Sequence, residues 1–275
     1  MRLFLPCIFP VLAFSACADL PVNHAKVERN SSQDFSAIVS LPNCSGALVR
    51  MADAEPGDNA LVLTNGHCLE GETMKPDGVI VGRPSQQTFK LLRADGSGEL
   101  ATLAAQEIVY ATMSGTDIAF YRLALSYADI ESRYAAQALT LAREPAVAGT
   151  PIKIVSGYWR RKYACRIEAL VARLKEQDWI WRDAIRYDPG CELAEGSSGS
   201  PLIDPGSGEI VGVNNTGNDG GTACALNNPC ENEKGMPPAV RNRNYGQQTY
   251  WLYGCMTNGN RLRLDLPGCQ LPSPQ

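Results

Sequence analysis

Three short stretches carry residue types that could act on one another. The first is Gly196-Ser197-Ser198-Gly199-Ser200-Pro201. Glycines flanking the serine pair permit a tight bend, leave the Ser198 hydroxyl exposed and let main-chain N–H groups point at a bound oxygen. Taken alone, such a stretch reads equally as a Gly/Ser surface turn. The second is Thr64-Asn65-Gly66-His67-Cys68 and the third Gly115-Thr116-Asp117-Ile118-Ala119-Phe120, so the chain offers His, Asp and Ser in that order. A serine hydroxyl is a weak nucleophile at neutral pH and needs a base within hydrogen-bond reach. An imidazole with an ordinary pKa near 6.5 suits that task. A carboxylate on the other ring nitrogen would fix the tautomer and stabilise the imidazolium. The chemistry implied is acyl transfer, with Ser198 as nucleophile, His67 as base and Asp117 as its orienter. A Gly-x-Ser-x-Gly hydrolase elbow is excluded, because Ser200 fills the last position and that fold orders its residues Ser, acid, His.

The elements that must position these residues carry further signals. Cys44-Ser45-Gly46-Ala47-Leu48-Val49 precedes the histidine stretch, Asp117 opens the apolar run Ile118 to Leu123, and Ile210-Val211-Gly212-Val213-Asn214-Asn215-Thr216-Gly217 follows the serine. Together these segments, over roughly residues 36 to 220, resemble the trypsin/chymotrypsin-type serine endopeptidases, especially their bacterial secreted branch. The resemblance implies an all-β, chymotrypsin-like fold of two six-stranded antiparallel barrels packed together, with the active site in the cleft between them. His67 and Asp117 would come from the first barrel and Ser198 from the second. It also implies a Cys44–Cys68 disulfide, and an oxyanion hole formed by the N–H groups of Gly196 and Ser198. Thr216 and Gly217 would pair with an extended substrate backbone. The expected reaction is hydrolysis of protein or peptide substrates through an acyl-enzyme, with no cofactor and no metal. A catalytically silent binding or adhesion protein on the same scaffold is the alternative.

Specificity is open at this point. Glu192 lies six residues before Ser198, where trypsin-like members carry the acidic residue at the base of the primary pocket, and would favour Arg or Lys at the cleaved position. Glu195 is a second candidate, and either could be a loop carboxylate with no contact to substrate. Glu-directed relatives read the substrate carboxylate with a histidine after the nucleophile. Val213, Asn214 and Asn215 stand there instead, which disfavours that preference. Animal relatives pair a freed N-terminus with an Asp just before the nucleophile. Position 197 is serine, so that activation switch is absent.

Short apolar runs separated by Gly, Pro and Asp turns read as strands at Phe35–Leu41, Gly46–Met51, Ala60–Thr64, Gly78–Gly82, Thr88–Leu92, Ile108–Ala111 and Ile118–Leu123. Tyr127 to Arg143 reads as a short helix or an irregular crossing, and Pro145 to Gly149 as a linker. A second series follows at Pro151–Tyr158, Ala164–Leu170, Trp179–Tyr187, Pro201–Ile203, Ile210–Asn214 and Gln248–Tyr253. The expected plan is a peptidase domain over 35–254, with barrels at about 35–144 and 145–254, then a disulfide-tied tail at 255–275.

Residues 1–18 read as an export signal: Arg2, the apolar run Leu3 to Phe14, and the small-x-small Ala16-Cys17-Ala18. Residues 19–34 read as a polar leader or pro-segment. A lipobox-like reading of Phe14-Ser15-Ala16-Cys17 would instead anchor Cys17 to lipid at the cell envelope. Either way the protein is expected outside the cytoplasm, secreted or periplasmic, as a monomer. The chain has 10 cysteines; once Cys7 and Cys17 are set aside with the signal, the other eight suit a disulfide framework. Cys165–Cys191 would close the loop leading to the serine. Cys224–Cys230 and Cys255–Cys269 follow from proximity, with Cys191–Cys224 as a rival pairing. Zinc is disfavoured, since there is no Cys-x2-Cys pair and the histidines are His24 and His67. The net charge of −4 offers no basic surface for nucleic acid.

Overall fold

Alternation of side chains sets the sheet faces. In Arg161–Glu176, Cys165 and Ile167 are buried while Arg166 and Glu168 face water, the two-residue period of a half-buried strand. The computed structural model describes residues 35–71, 74–231 and 241–274. The export signal, the leader and Cys17 lie outside the described residues.

The first sheet uses β1 (Ile38–Ser40), β2 (Ser45–Arg50), β3 (Asn59–Thr64), β4 (Thr88–Leu92), β5 (Glu99–Thr112) and β6 (Ile118–Ser126). Antiparallel pairing runs β1-β2-β3-β6-β5-β4 and returns to β1, closing a six-stranded barrel. The second sheet uses β7 (Pro151–Ser156), β8 (Arg161–Glu176), β9 (Trp179–Tyr187), β10 (Pro201–Ile203), β11 (Ile210–Gly217) and β12 (Asn244–Gln248). Its antiparallel pairs run β7-β8-β9-β12-β11-β10 and return to β7. Closure leaves few free strand edges. The interior of the first barrel is filled by Val39, Leu48, Val62, Phe89 and Leu91, with the Phe89 and Tyr121 rings edge to face at 5.0 Å.

Between the barrels, the helix α1 (Tyr127–Tyr134) occupies the segment expected to be helical or irregular. Ser126 starts it with a capping box: its hydroxyl accepts from the Asp129 N–H while the Asp129 carboxylate accepts from the Ser126 N–H. Ala135 ends it in a left-handed conformation. Leu139–Thr140 then pairs in parallel with β2. Four disulfides form: Cys44–Cys68, Cys165–Cys191, Cys224–Cys230 and Cys255–Cys269. The rival Cys191–Cys224 pairing is not made.

Three strand expectations need correction. The strand placed at Gln248–Tyr253 lies instead at Asn244–Gln248, and Tyr250–Gly254 is a 3-10 turn. The aromatic run mimics a strand, while Gly246 dilutes the true one. That glycine permits close packing, because a Cβ there would sit 2.5 Å from the Tyr187 hydroxyl. The strands expected at Ile108–Ala111 and Ala164–Leu170 extend to Glu99–Thr112 and Arg161–Glu176. The added residues that face solvent carry small or polar side chains, such as Thr102, Ala104 and Gln106 in one and Arg161 and Arg173 in the other, which hides the pairing from a hydrophobicity reading.

Candidate active site

β3 ends at Thr64, and one 3-10 turn, Gly66–Cys68, carries His67. The Cys44–Cys68 bridge ties that turn to the start of β2. Gly66 permits a close approach: a Cβ there would lie 2.2 Å from the Thr112 carbonyl oxygen. Asp117, just before β6, is fully buried, and Asn65 Nδ2 donates to its main-chain carbonyl at 2.7 Å. Both carboxylate oxygens are engaged. His67 Nδ1 lies 2.7 Å from Oδ2, and the His67 N–H donates to Oδ1 at 3.1 Å. A carboxylate can only accept, so the neutral ring carries its proton on Nδ1 and leaves Nε2 free as a base. Burial pulls the His67 pKa down, but the Asp117 charge and hydrogen bond, with Glu176 beyond, push it further up, leaving it above the ordinary 6.5. The imidazole keeps 31% of its side-chain surface open to solvent.

Ser198 sits on the bend before β10. Gly196 and Gly199 adopt φ of +81° and +80°, the left-handed region that favours glycine. A Cβ on Gly199 would lie 2.0 Å from the Ser45 carbonyl oxygen, so the loop packs directly on β2 of the first barrel. The Ser45 N–H donates to the Ser198 carbonyl at 2.7 Å, and Asn214 Nδ2 donates to the Ser197 carbonyl at 3.0 Å. The N–H groups of Gly196 and Ser198 donate to no acceptor among the described residues. The Ser198 hydroxyl donates to the Asn215 carbonyl at 3.0 Å. Among the described residues no hydrogen bond joins it to His67, a contact that commonly tightens only when substrate is bound.

One cavity of about 270 Å³ is lined by His67, Asp117 and Ser198, and by Thr216 and Gly217 on the β11 edge. The β8–β9 hairpin closes another side by reaching to the first barrel. The Arg182 N–H donates to the Gly115 carbonyl at 2.8 Å, and Trp181 Nε1 donates to the Met113 carbonyl at 2.9 Å.

The model of the trypsin-like peptidase domain matches residues 44–213, well over half of the chain. The chain belongs to this family. Comparison with curated proteins finds no match. Several solved structures are similar. The MamO protease domain from Magnetospirillum magneticum is 15% identical, with a TM-score of 0.49, covering 82% of this chain and 98% of that one. The active form of the Rv3671c protease from M. tuberculosis is 16% identical, with a TM-score of 0.47, covering 95% of this chain and 97% of that one. A Glu endopeptidase in complex with MPD is 16% identical, with a TM-score of 0.47, covering 82% and 90%.

Within this trypsin-like domain the two candidate carboxylates, Glu192 and Glu195, are placed differently. Glu192 is exposed and does not line the cavity. Cys191 is bridged to Cys165 and its N–H donates to the Asp188 carbonyl at 3.1 Å, which turns the next residue out to solvent. Leu193, Ala194 and Glu195 line the cavity instead. Besides Asp117, the buried carboxylate lining the cavity is Glu176, at the end of β8 and 4% exposed. Thr216 Oγ1 donates to it at 2.5 Å and the Asn227 N–H at 3.2 Å. Burial raises its pKa, with the Thr216 and Asn227 hydrogen bonds acting against that. Sequence reading missed Glu176, because Lys175-Glu176-Gln177-Asp178 has the composition of a solvated hairpin tip. Its partners Thr216 and Asn227 lie 40 and 51 residues further along the chain, so its burial has no local signal.

Proposed function

We propose that the protein is an exported serine endopeptidase that hydrolyses peptide bonds through His67, Asp117 and Ser198. The observation that carries this reading is the hydrogen-bonded pair of His67 and the buried Asp117 lining the same cavity as Ser198, in a chain of the trypsin-like family. The Ser198 hydroxyl attacks the scissile carbonyl carbon while its proton passes to His67 Nε2. The resulting oxyanion accepts from the Gly196 and Ser198 N–H groups, each worth about 3–4 kcal/mol in comparable sites. The C–N bond breaks, His67 returns the proton to the leaving amine, and water repeats the sequence on the acyl-enzyme. Thr216 and Gly217 offer a strand edge to the substrate backbone. Four disulfides fit an oxidising compartment, in keeping with export. No helix among the described residues is long and apolar enough to cross a membrane.

The substrate class follows from charge. Among the described residues the cavity is lined by the carboxylates of Asp117, Glu176, Glu195 and Asp219 and by no Lys or Arg. A peptide with a positively charged side chain beside the cleaved bond complements it, and Glu176 replaces Glu192 as the reading group. The test is covalent labelling of the oxidised protein by a serine-directed fluorophosphonate. Labelling that vanishes in Ser198→Ala supports the peptidase. No labelling of correctly folded wild type supports the silent binding protein.

A further inference from the structure

The bend that carries Ser198 must hold its peptide planes fixed, and the side chain next to the serine does not do so. The Ser197 hydroxyl is buried and has no hydrogen-bond partner among the described residues. The carbonyls around it are held from outside. Ser45 Oγ donates to the Gly196 carbonyl at 3.2 Å and accepts from the Tyr158 N–H at 3.1 Å. The Glu195 carbonyl accepts from the indole Nε1 of Trp159. Trp159 and Tyr158 form the turn between β7 and β8, with their rings edge to face at 4.9 Å. Tyr158 covers Gly196 so closely that a Cβ there would meet its ring at 2.7 Å. Both aromatics are nevertheless exposed, Trp159 at 45%. An indole that exposed gains little from burial, so its one donor is the informative contact.

The Glu195 carbonyl and the Gly196 N–H belong to one peptide unit. No described peptide is cis, and in a trans peptide the two groups point in opposite directions. Holding the carbonyl on Trp159 therefore turns the Gly196 N–H away from the indole, and that N–H has no acceptor among the described residues. We propose that Trp159 is a positioning residue that locks the Glu195–Gly196 peptide with its N–H presented to the oxyanion. Without the indole donor the peptide can rotate and present its carbonyl, the wrong end of the dipole, to a developing negative charge. This rests on the reading of Ser198 as nucleophile.

The test compares wild type with Trp159→Phe, which keeps a ring against Tyr158 and removes the donor. Activity is measured on a fluorogenic peptide bearing Arg at the cleaved bond, and affinity on a peptide boronate that forms a tetrahedral adduct. The expected result is a fall in kcat of about tenfold, less than the outright loss of an oxyanion donor. KM stays within twofold, the acid limb of the pH profile does not move, and boronate affinity falls by the same factor as kcat. Fluorophosphonate labelling of Ser198 persists, more slowly. Wild-type kcat and boronate affinity in a folded Trp159→Phe protein overturn the proposal while leaving the peptidase reading intact. Wild type that neither cleaves peptide nor takes the fluorophosphonate overturns the peptidase reading and this proposal with it. A wild-type measurement stands apart from the folding of the variant. The Trp159 indole proton should exchange slowly with solvent despite the exposed ring, and free exchange contradicts the hydrogen bond.

Discussion

His67 and Asp117 are fixed by side-chain hydrogen bonds, whereas Ser198 is fixed by the backbone around it. On the first barrel a fully buried carboxylate holds both the ring and the main-chain N–H of the histidine. On the second barrel two left-handed glycines shape the bend, and donors from Ser45, Asn214 and Trp159 hold its carbonyls. The difference separates two kinds of failure. On the proposed mechanism, substituting the acid should leave the fold in place and ruin the chemistry. Substituting a glycine of the bend damages the packing between barrels first and the chemistry as a consequence.

The largest expected effects break the first half of that comparison. Ser198→Ala should lower kcat by about 10⁶-fold. Asp117→Asn, which cannot hold the reactive tautomer, should lower it by about 10⁴-fold. Combining the two should cost little more than Ser198→Ala alone. Tm should stay within a few degrees for Ser198→Ala, measured by thermal unfolding beside the peptide assay.

Gly199→Ala tests the other half. Its Cβ would meet the Ser45 carbonyl oxygen at 2.0 Å and Thr64 Oγ1 at 2.3 Å, in a conformation with φ of +80°. A loss of about 3 kcal/mol is expected, read as a lower Tm, with kcat falling together with the folded fraction. A stable, inactive Gly199→Ala protein would contradict the separation. Opening Cys165–Cys191 as a double serine variant should cost a similar amount. The bridge closes a separation of 26 residues, worth about 3–4 kcal/mol in the chain-entropy picture.

The smallest expected effect is a shift in pH dependence. The base must be neutral to act, and its pKa is raised, so activity should fall as pH drops through a midpoint above 6.5. Glu176 contributes to that elevation, so Glu176→Gln should move the acid limb toward lower pH. Glu192→Ala, changing an exposed carboxylate outside the cavity, should leave the limb in place. The stability effect has the opposite sense. A raised histidine pKa stabilises the fold below the unfolded value near 6.5, and that contribution is lost as pH rises through the folded value.

Much of this organisation was legible in the chain itself. The glycines around Ser198 announce a tight bend, because local backbone demands leave marks on residue type, and Thr64 to Cys68 marks the candidate histidine by its resemblance to the family's motif. Short apolar runs such as Thr88–Leu92 and Trp179–Tyr187 point to an all-β chain, and the resemblance of the motifs to the trypsin/chymotrypsin-type family implied the barrels. What escaped depends on distant pairing. Glu176 is engaged by Thr216 and Asn227, both far away in sequence, and the Gly246 strand is recognisable only by its fit against Tyr187. Glu192 was misplaced because counting back from the serine ignores the direction imposed by the Cys165–Cys191 bridge.

The most direct test of the central claim is a cleavage-site profile of the purified, oxidised protein on a mixed peptide library, with Ser198→Ala as control. Hydrolysis beside Arg or Lys that disappears in Ser198→Ala and weakens in Glu176→Gln, while Glu192→Ala cleaves as wild type does, is the predicted result. Identical product profiles from wild type and Ser198→Ala would contradict the claim that Ser198, His67 and Asp117 form a working hydrolytic site.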